Sequence, residues 1–256
     1  MKVKRILVSQ PMPEDPKSQY FELAETNNIE IDFKQFIQVT DIEMKDFRKQ
    51  RINVLSHTAV IFSSRTAIDH FFKVCKKAKI KLPEDMKYFC ASESAAFYLQ
   101  KYIVFRKRKI FYSDGKIEDL VSILKKHKEE SFLVPVSDVH KHEISDILNK
   151  AKIKYTKAFF YRTVSSDLSD INIYDYDILV FFSPYGIISL NKNFPDFKQN
   201  DIAIGAFGPV TAKAVKRAKL RLDIQAPTAK AQSMPSALDL YIKQVNKVKN
   251  LDENVK

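Results

Sequence analysis

Short apolar runs alternate with amphipathic segments along the whole chain, which predicts an α/β fold. Ile6-Leu7-Val8 predicts a strand, followed by a Pro-rich turn through Pro11, Pro13 and Pro16. A helix is expected over 20–26 and a strand over 31–39. Further strands are expected over 59–62, 88–90 and 110–112, each followed by a helix, over 67–77, 94–101 and 117–126. The order then recurs. Strands are expected over 132–134, 156–164, 178–182, 202–207 and 222–224, with Pro135 closing the first of them. Helices are expected over 143–150, after Gly186, over 210–218 and over 234–243. Residues beyond Gln244 are charged and lack apolar periodicity, so the tail is expected to fray. The pattern alone places a boundary near residue 130 and gives two flavodoxin-like halves, each a parallel sheet with helices on both faces.

Within this pattern two segments are echoed. Phe62-Ser63-Ser64-Arg65-Thr66-Ala67-Ile68 corresponds to Phe181-Phe182-Ser183-Pro184-Tyr185-Gly186-Ile187. Further along each half, Ala91-Ser92-Glu93-Ser94-Ala95 answers to Gly208-Pro209-Val210-Thr211-Ala212. In each case an apolar run ends in a small, hydroxyl-bearing turn before a helical segment. Such a turn presents backbone N–H groups and hydroxyls, which suit an anion. In open α/β sheets, ligands bind beyond the carboxyl ends of the strands, where these turns fall.

The composition narrows the partners. The 256 residues carry 45% hydrophobic residues and a net charge of +12, enough to fill real cores and to favour an acidic partner. Much of the excess is lysine, whose ordinary role is a solvated surface. The clusters Lys76-Lys77, Arg106-Lys107-Arg108-Lys109 and Lys125-Lys126 are expected to be exposed. Cys75 and Cys90 are the only cysteines. They form no disulfide framework and no metal spacing, and predict small buried apolar groups in a reducing compartment. The opening Met1-Lys2-Val3-Lys4-Arg5 leads into a strand and not a signal-peptide core. No apolar run has the length to span a bilayer. A soluble cytoplasmic protein is expected.

Several chemistries find no support. Four glycines in the chain make a Rossmann fingerprint or a Walker loop implausible. The five histidines do not fall into ligand pairs. His140 and His142 are two apart, so no metal is expected. Ser64 and Ser183 lack the glycines of a nucleophile elbow. Taken singly, each serves most simply as a helix cap; a cap hydroxyl on a cleft wall can also meet a ligand. Ser94 and Thr211 carry the same two readings. Tyr161, in Ala158-Phe159-Phe160-Tyr161-Arg162-Thr163-Val164, reads by composition as a half-buried strand tyrosine with its hydroxyl at the rim.

At these motifs the chain resembles the uroporphyrinogen-III synthase family. The Phe-Thr-Ser or Phe-Phe-Ser-Pro-Ser-Gly strand end of that family is matched at 62–67 and 181–186. Its Gly-Pro-Thr-Thr-Ala turn is matched at 208–212, its Tyr-x-Thr-Val strand at 161–164, and its opening strand by Ile6-Leu7-Val8-Ser9-Gln10-Pro11. The matches run in family order from residue 6 to about 243. The chain departs from the pattern at Val210, where a threonine is frequent, at Gln10, where an arginine is frequent, at Arg65 and Thr66, and at Ala91.

The resemblance implies two flavodoxin-like parallel-sheet domains joined by a two-stranded antiparallel linker, the first domain being discontinuous. That domain would comprise 1–37 and 166–256, and the second 42–160, with linker strands near 37–42 and 160–166. It implies cyclisation of hydroxymethylbilane, a linear octacarboxylate, with no metal or cofactor. It assigns Tyr161 as the catalytic residue at the hinge. Substrate contacts fall to Ser63, Ser64, Arg65, Ser92, Ser94, Ser113, Ser183, Pro184, Tyr185, Gly186, Gly208 and Thr211. A monomer is expected, with a transient contact to hydroxymethylbilane synthase, and without nucleic-acid or membrane partners. Two other readings stay open. One is an inactive module of the same fold that holds tetrapyrroles or another polyanion. The other is a basic nucleic-acid binder, disfavoured because no basic helix or aromatic stacking platform is evident.

Overall fold

Two sheets organise the chain in its computed structural model, which describes residues 3–115, 117–139 and 143–253. The chain opens with β1 (Arg5–Val8), α1 (Gln19–Asn27) and β2 (Glu30–Phe33), then β3 (Ile37–Asp41) and α2 (Met44–Lys49). Next come β4 (Ala59–Phe62), α3 (Arg65–Lys77), β5 (Lys87–Cys90), α4 (Glu93–Tyr98), β6 (Ile110–Tyr112) and α5 (Ile117–Lys126). They are followed by β7 (Phe132–Ser137), α6 (Glu143–Lys150) and the long β8 (Tyr155–Ser165). The chain ends with β9 (Ile178–Phe181), α7 (Pro184–Asn193), β10 (Ala203–Phe207), α8 (Pro209–Arg217), β11 (Ile224–Ala226) and α9 (Met234–Glu253). It divides into two units, Met1–Gln38 with Val164–Lys256, and Val39–Thr163.

The first unit holds a parallel sheet in the order β11-β10-β9-β1-β2. Strands wind outward in both directions from the β1/β9 junction, which is a topological switch point. Both faces are covered, so β9 reads as an unbroken apolar run. Ile6, Val8, Ile178 and Val180 pack toward Leu23 and Leu238 on one side. Leu7, Leu179 and Phe181 pack toward Ile187, Leu190 and Val215 on the other.

The second unit is built on the order β3-β8-β7-β4-β5-β6. Strands β4 to β8 pair in parallel and wind outward from the β4/β7 junction. At the edge, Ile42 N–H donates to Phe160 O at 3.1 Å and Ser166 N–H to Phe36 O at 2.9 Å. These bonds set β3 and β8 in opposite directions. Val60 and Phe62 face the buried stripe of α3, while Ala59 and Ile61 face Leu120, Leu124 and Leu148. A boundary near residue 130 would split this sheet, because β7 lies between β4 and β8.

Other expectations need correcting. The apolar run over 31–39 forms two strands, β2 and β3, with Lys34, Gln35 and Phe36 turning the chain between them. Pro135 lies inside β7. The β4 ladder is recorded only at Phe132 and Leu133, whereas the β8 ladder runs past Pro135, so the proline N falls where β4 no longer pairs. Helix α7 begins at Pro184, ahead of Gly186, since a proline suits the first helical position. The last strand covers Ile224–Ala226, later than expected. The tail continues α9 to Glu253. Residues 244–253 contain no glycine or proline, and extending a helix already nucleated and packed adds one bond per residue fixed. His140 and His142 lie outside the described residues.

The basic clusters Lys76-Lys77, Arg106 to Arg108 and Lys125-Lys126 are exposed. Cys75 and Cys90 are buried and unpaired. No helix among the described residues is long and apolar enough to cross a membrane.

Candidate active site

The echoed turns share one geometry. Each serine follows a parallel strand and stands in extended conformation before a helix. Ser64 (φ −161°, ψ 163°), Ser92 (φ −150°, ψ 155°) and Ser183 (φ −151°, ψ 155°) cap α3, α4 and α7. Their hydroxyls accept from the N–H of Ala67 at 3.2 Å, Ala95 at 3.3 Å and Gly186 at 3.4 Å. The bond satisfies the third N–H of each helix and leaves the earliest ones without an acceptor inside it. In α3 those belong to Arg65 and Thr66. In α7, Pro184 has none to offer and Tyr185 supplies the next.

The fourth turn departs from the other three. Gly208 caps α8 without a side chain and takes φ 83°, ψ 152°, a backbone region reserved for glycine. In structural register Gly208 is the partner of Ser92, so this second echo is offset by one residue from the sequence pairing. Thr211 falls at the place of Ala95 and is buried. Val210 stands exposed on the helix end and offers no hydroxyl.

The expected contact residues therefore sit at the carboxyl ends of β4 and β5, with Ser113 at the end of β6, in one unit and of β9 and β10 in the other. Ser63, Arg65 and Ser94 are exposed; Ser92, Ser183, Pro184, Tyr185 and Gly208 are half-buried. The Arg65 guanidinium lies over the Tyr98 ring, 5.5 Å from its centroid. The Ser92 and Ser94 hydroxyls are 3.2 Å apart. Ser113 is buried, and its hydroxyl donates to Ala91 O at 3.0 Å, which braces the β5 turn from beneath. Gly186 is buried, and a Cβ there would stand 3.0 Å from the Phe181 ring.

Tyr161 belongs to the rim of the second unit. In a regular strand it would face away from Ala158's side of the sheet. A register shift between Val136 and Ser137 pairs Ser137 with Tyr161 and leaves Phe160 out of the ladder. That bulge lets Phe160 and Tyr161 both pack on the α3 side. Burial pushes the phenol above its ordinary value, and the Ser64 hydroxyl and Ser137 backbone beside it pull against that rise. Tyr161 is thus a protonated donor at neutral pH. Its ring stacks on His70, with centroids 5.1 Å apart and planes 20° apart.

Sequence reasoning passed over His70 and Asp41. His70 Nδ1 lies 2.5 Å from Asp41 Oδ1. The available signal was the place of His70 on the apolar face of α3, between Ala67, Phe71 and Val74. Asp41, at the end of a short strand, gave none.

Other features lie away from the rims. Among the described residues, His127, Glu129 and Glu130 bring possible metal-ligating atoms within 4.8 Å of one another. Glu130 is already bound by Lys87 Nζ at 2.5 Å and by the Thr58 hydroxyl, at the amino ends of the strands. A cavity of about 250 Å³ in the second unit is lined by Leu82, Tyr88, Ile103 and Ile110 with Arg106 and Lys109, and touches none of the capping serines.

Doubly wound sheets with helix-capping turns at their carboxyl ends define a two-sheet α/β protein. The family model described as uroporphyrinogen-III synthase HemD matches residues 19–235, and the chain belongs to that family. The uroporphyrinogen-III synthetase of Helicobacter pylori 26695 is 16% identical, with 94% of this chain and 99% of that one covered and a TM-score of 0.54, a likeness of fold. A mutant uroporphyrinogen III synthase of the extremely thermophilic bacterium Thermus thermophilus is 13% identical over 95% of this chain and 99% of that one, with a TM-score of 0.47. No curated protein matches by sequence. Family and fold indicate uroporphyrinogen-III synthase activity, a lyase-type cyclisation of a small molecule in tetrapyrrole and heme biosynthesis.

Proposed function

We propose that the protein converts hydroxymethylbilane to uroporphyrinogen III with inversion of ring D and net loss of water. The observation that carries this reading is the shared cap geometry at Ser64, Ser92 and Ser183, with Tyr161 stacked on His70 of the helix that the first of them caps. The substrate's carboxylates take hydrogen bonds from the early N–H groups of α3, α7 and α8 and from nearby hydroxyls, aided by the positive field of a +12 chain. Ser63, Arg65, Ser94, Ser183, Tyr185 and Gly208 supply contacts at the surface. Ser113, Gly186 and Thr211 hold the turns in shape from below.

In the proposed reaction Tyr161 donates a hydrogen bond or proton to the hydroxyl leaving ring A, which departs as water. The electrophilic azafulvene that remains is attacked by the substituted carbon of ring D, giving a spiro intermediate. That intermediate fragments and recloses with ring D inverted. Direct closure without the protein gives the type I isomer. The protein's main work is positioning, and the phenol assists departure. The reaction as written requires no metal or cofactor. The two units act as the family's two domains, the chain works as a monomer, and hydroxymethylbilane synthase supplies the substrate through transient contact.

A second reading is an inactive module that binds tetrapyrroles or another polyanion. Val210 favours it, because it places an exposed apolar side chain on a helix end where the family often has a hydroxyl. Adding the protein to hydroxymethylbilane, oxidising, and separating the uroporphyrin isomers distinguishes them. Predominant type III supports the synthase; type I at the rate seen without protein, together with product binding, supports the module.

A further inference from the structure

Behind Tyr161 stands a side-chain arrangement that the proposed mechanism does not use. His70 is on the buried face of α3, six residues beyond the Ser64 cap, and its side chain is 9% exposed. Its Nδ1 lies 2.5 Å from one oxygen of Asp41, at the end of β3. Lys77, two turns further along α3, places its Nζ 2.5 Å from the other oxygen. The far side of this chain of contacts is the stack of His70 on Tyr161.

We propose that His70, anchored by Asp41, is a positioning residue that fixes the Tyr161 ring and so keeps its phenol at the Ser64 end of the site. This inference rests on the role given to Tyr161 above. A strand tyrosine beside a bulge has lost the regular alternation that would fix its direction, so its aim depends on what its ring meets. A flat partner supplies that limit, provided its own plane is fixed. Asp41 fixes it. Burial raises the Asp41 carboxyl, and the hydrogen bonds from Lys77 and His70 more than reverse that, leaving it below its ordinary value. The carboxylate accepts the Nδ1 proton, which sets both the tautomer and the orientation of the imidazole. Lys77 grips the second oxygen and keeps the carboxylate from turning away.

Four variants and two readouts test this. His70→Ala is expected to lower kcat about tenfold with KM changed by less than about twofold, since the interaction lost serves the transition state. His70→Phe keeps a flat ring but loses the Asp41 anchor; it controls for loss of folding through its thermal unfolding and is expected to recover only part of the rate. In the double variant H70A/Y161F the two losses should not add, because the first acts through the second. The second readout needs no turnover. With ring-labelled tyrosine, the cross-relaxation between Tyr161 and Ser64 should be present in the native protein, weaker in His70→Phe, and lost in His70→Ala; the native signal is assigned by its absence in Tyr161→Phe. Persistence of that signal in His70→Ala, or full additivity of the two rate losses, overturns the inference. A native protein that makes no type III isomer would overturn the proposed function instead, and the tyrosine signal would still decide what His70 does.

Discussion

The Tyr161 ring stacks on His70, a residue of the helix that Ser64 caps, with centroids 5.1 Å apart and planes 20° apart. Tyr161 lies beside a one-residue bulge in β8, which lets its ring pack on the α3 side. Tyr161→Phe should lower kcat by about tenfold to a hundredfold, at or below the lower end of what a positioned proton donor contributes, while product affinity changes much less. Steady-state kinetics beside product titration checks this. Equal turnover in the variant removes Tyr161 from the mechanism.

The pH profile should follow the same phenol. Burial places it above the ordinary tyrosine value, so it is protonated, and able to donate, throughout the neutral range. Its deprotonation weakens catalysis only on the alkaline side. Between pH 6 and pH 9, native protein and Tyr161→Phe should show parallel profiles that differ in height, because an ordinary tyrosine titrates near about 10. A limb in that range present only in the native protein would contradict this assignment.

Gly208 is required for its backbone and not for space. A Cβ there would meet nothing within 4 Å, yet φ is 83°. Gly208→Ala should therefore destabilise the protein by on the order of 1–3 kcal/mol through strain alone, measured by denaturant unfolding. Gly186→Ala fails differently, since its Cβ would press on Phe181 at 3.0 Å. Ser64→Ala should lose about 1 kcal/mol as a missing cap.

Acid should weaken the second unit through Glu130. Burial raises this carboxyl, but Lys87 and Thr58 outweigh burial and hold it below its ordinary value. A carboxyl depressed in the folded state contributes stability above its unfolded value, and that contribution is lost as pH falls through the folded value. Glu130→Gln should therefore lower stability at neutral pH by about 1–3 kcal/mol and flatten the acid limb of the unfolding curve below about pH 4.3. An unchanged acid limb would contradict this.

Both thiols should be silent in the folded protein. Burial pushes Cys75 and Cys90 up to about 12, so almost no thiolate is present at neutral pH. A thiol reagent should find none reactive in native protein and both after denaturation. Fast native labelling would contradict the burial.

Much of the fold is legible because both sheets bury both faces, so β4 and β9 are unbroken apolar runs bounded by turns. What escapes the sequence is local. Pro135 reads as a stop, yet it is tolerated where β4 has ceased to pair. Charged α2 lacks a strong apolar stripe, and only Phe47 of it is buried. The last helix outruns its apolar pattern because nothing in 244–253 breaks it. The capping serines were legible as types at the ends of strands. The aim of Tyr161 was not, because it depends on a one-residue bulge and on His70, whose anchor Asp41 lies 29 residues away.

The central claim is that these turns fold hydroxymethylbilane so that the spiro route outruns direct closure. Its most direct test generates hydroxymethylbilane with its synthase in the presence of the native protein, then follows bilane consumption and the uroporphyrin isomer ratio together. Faster consumption with type III predominant is the predicted result. Consumption at the spontaneous rate with type I predominant, from folded protein, would contradict it.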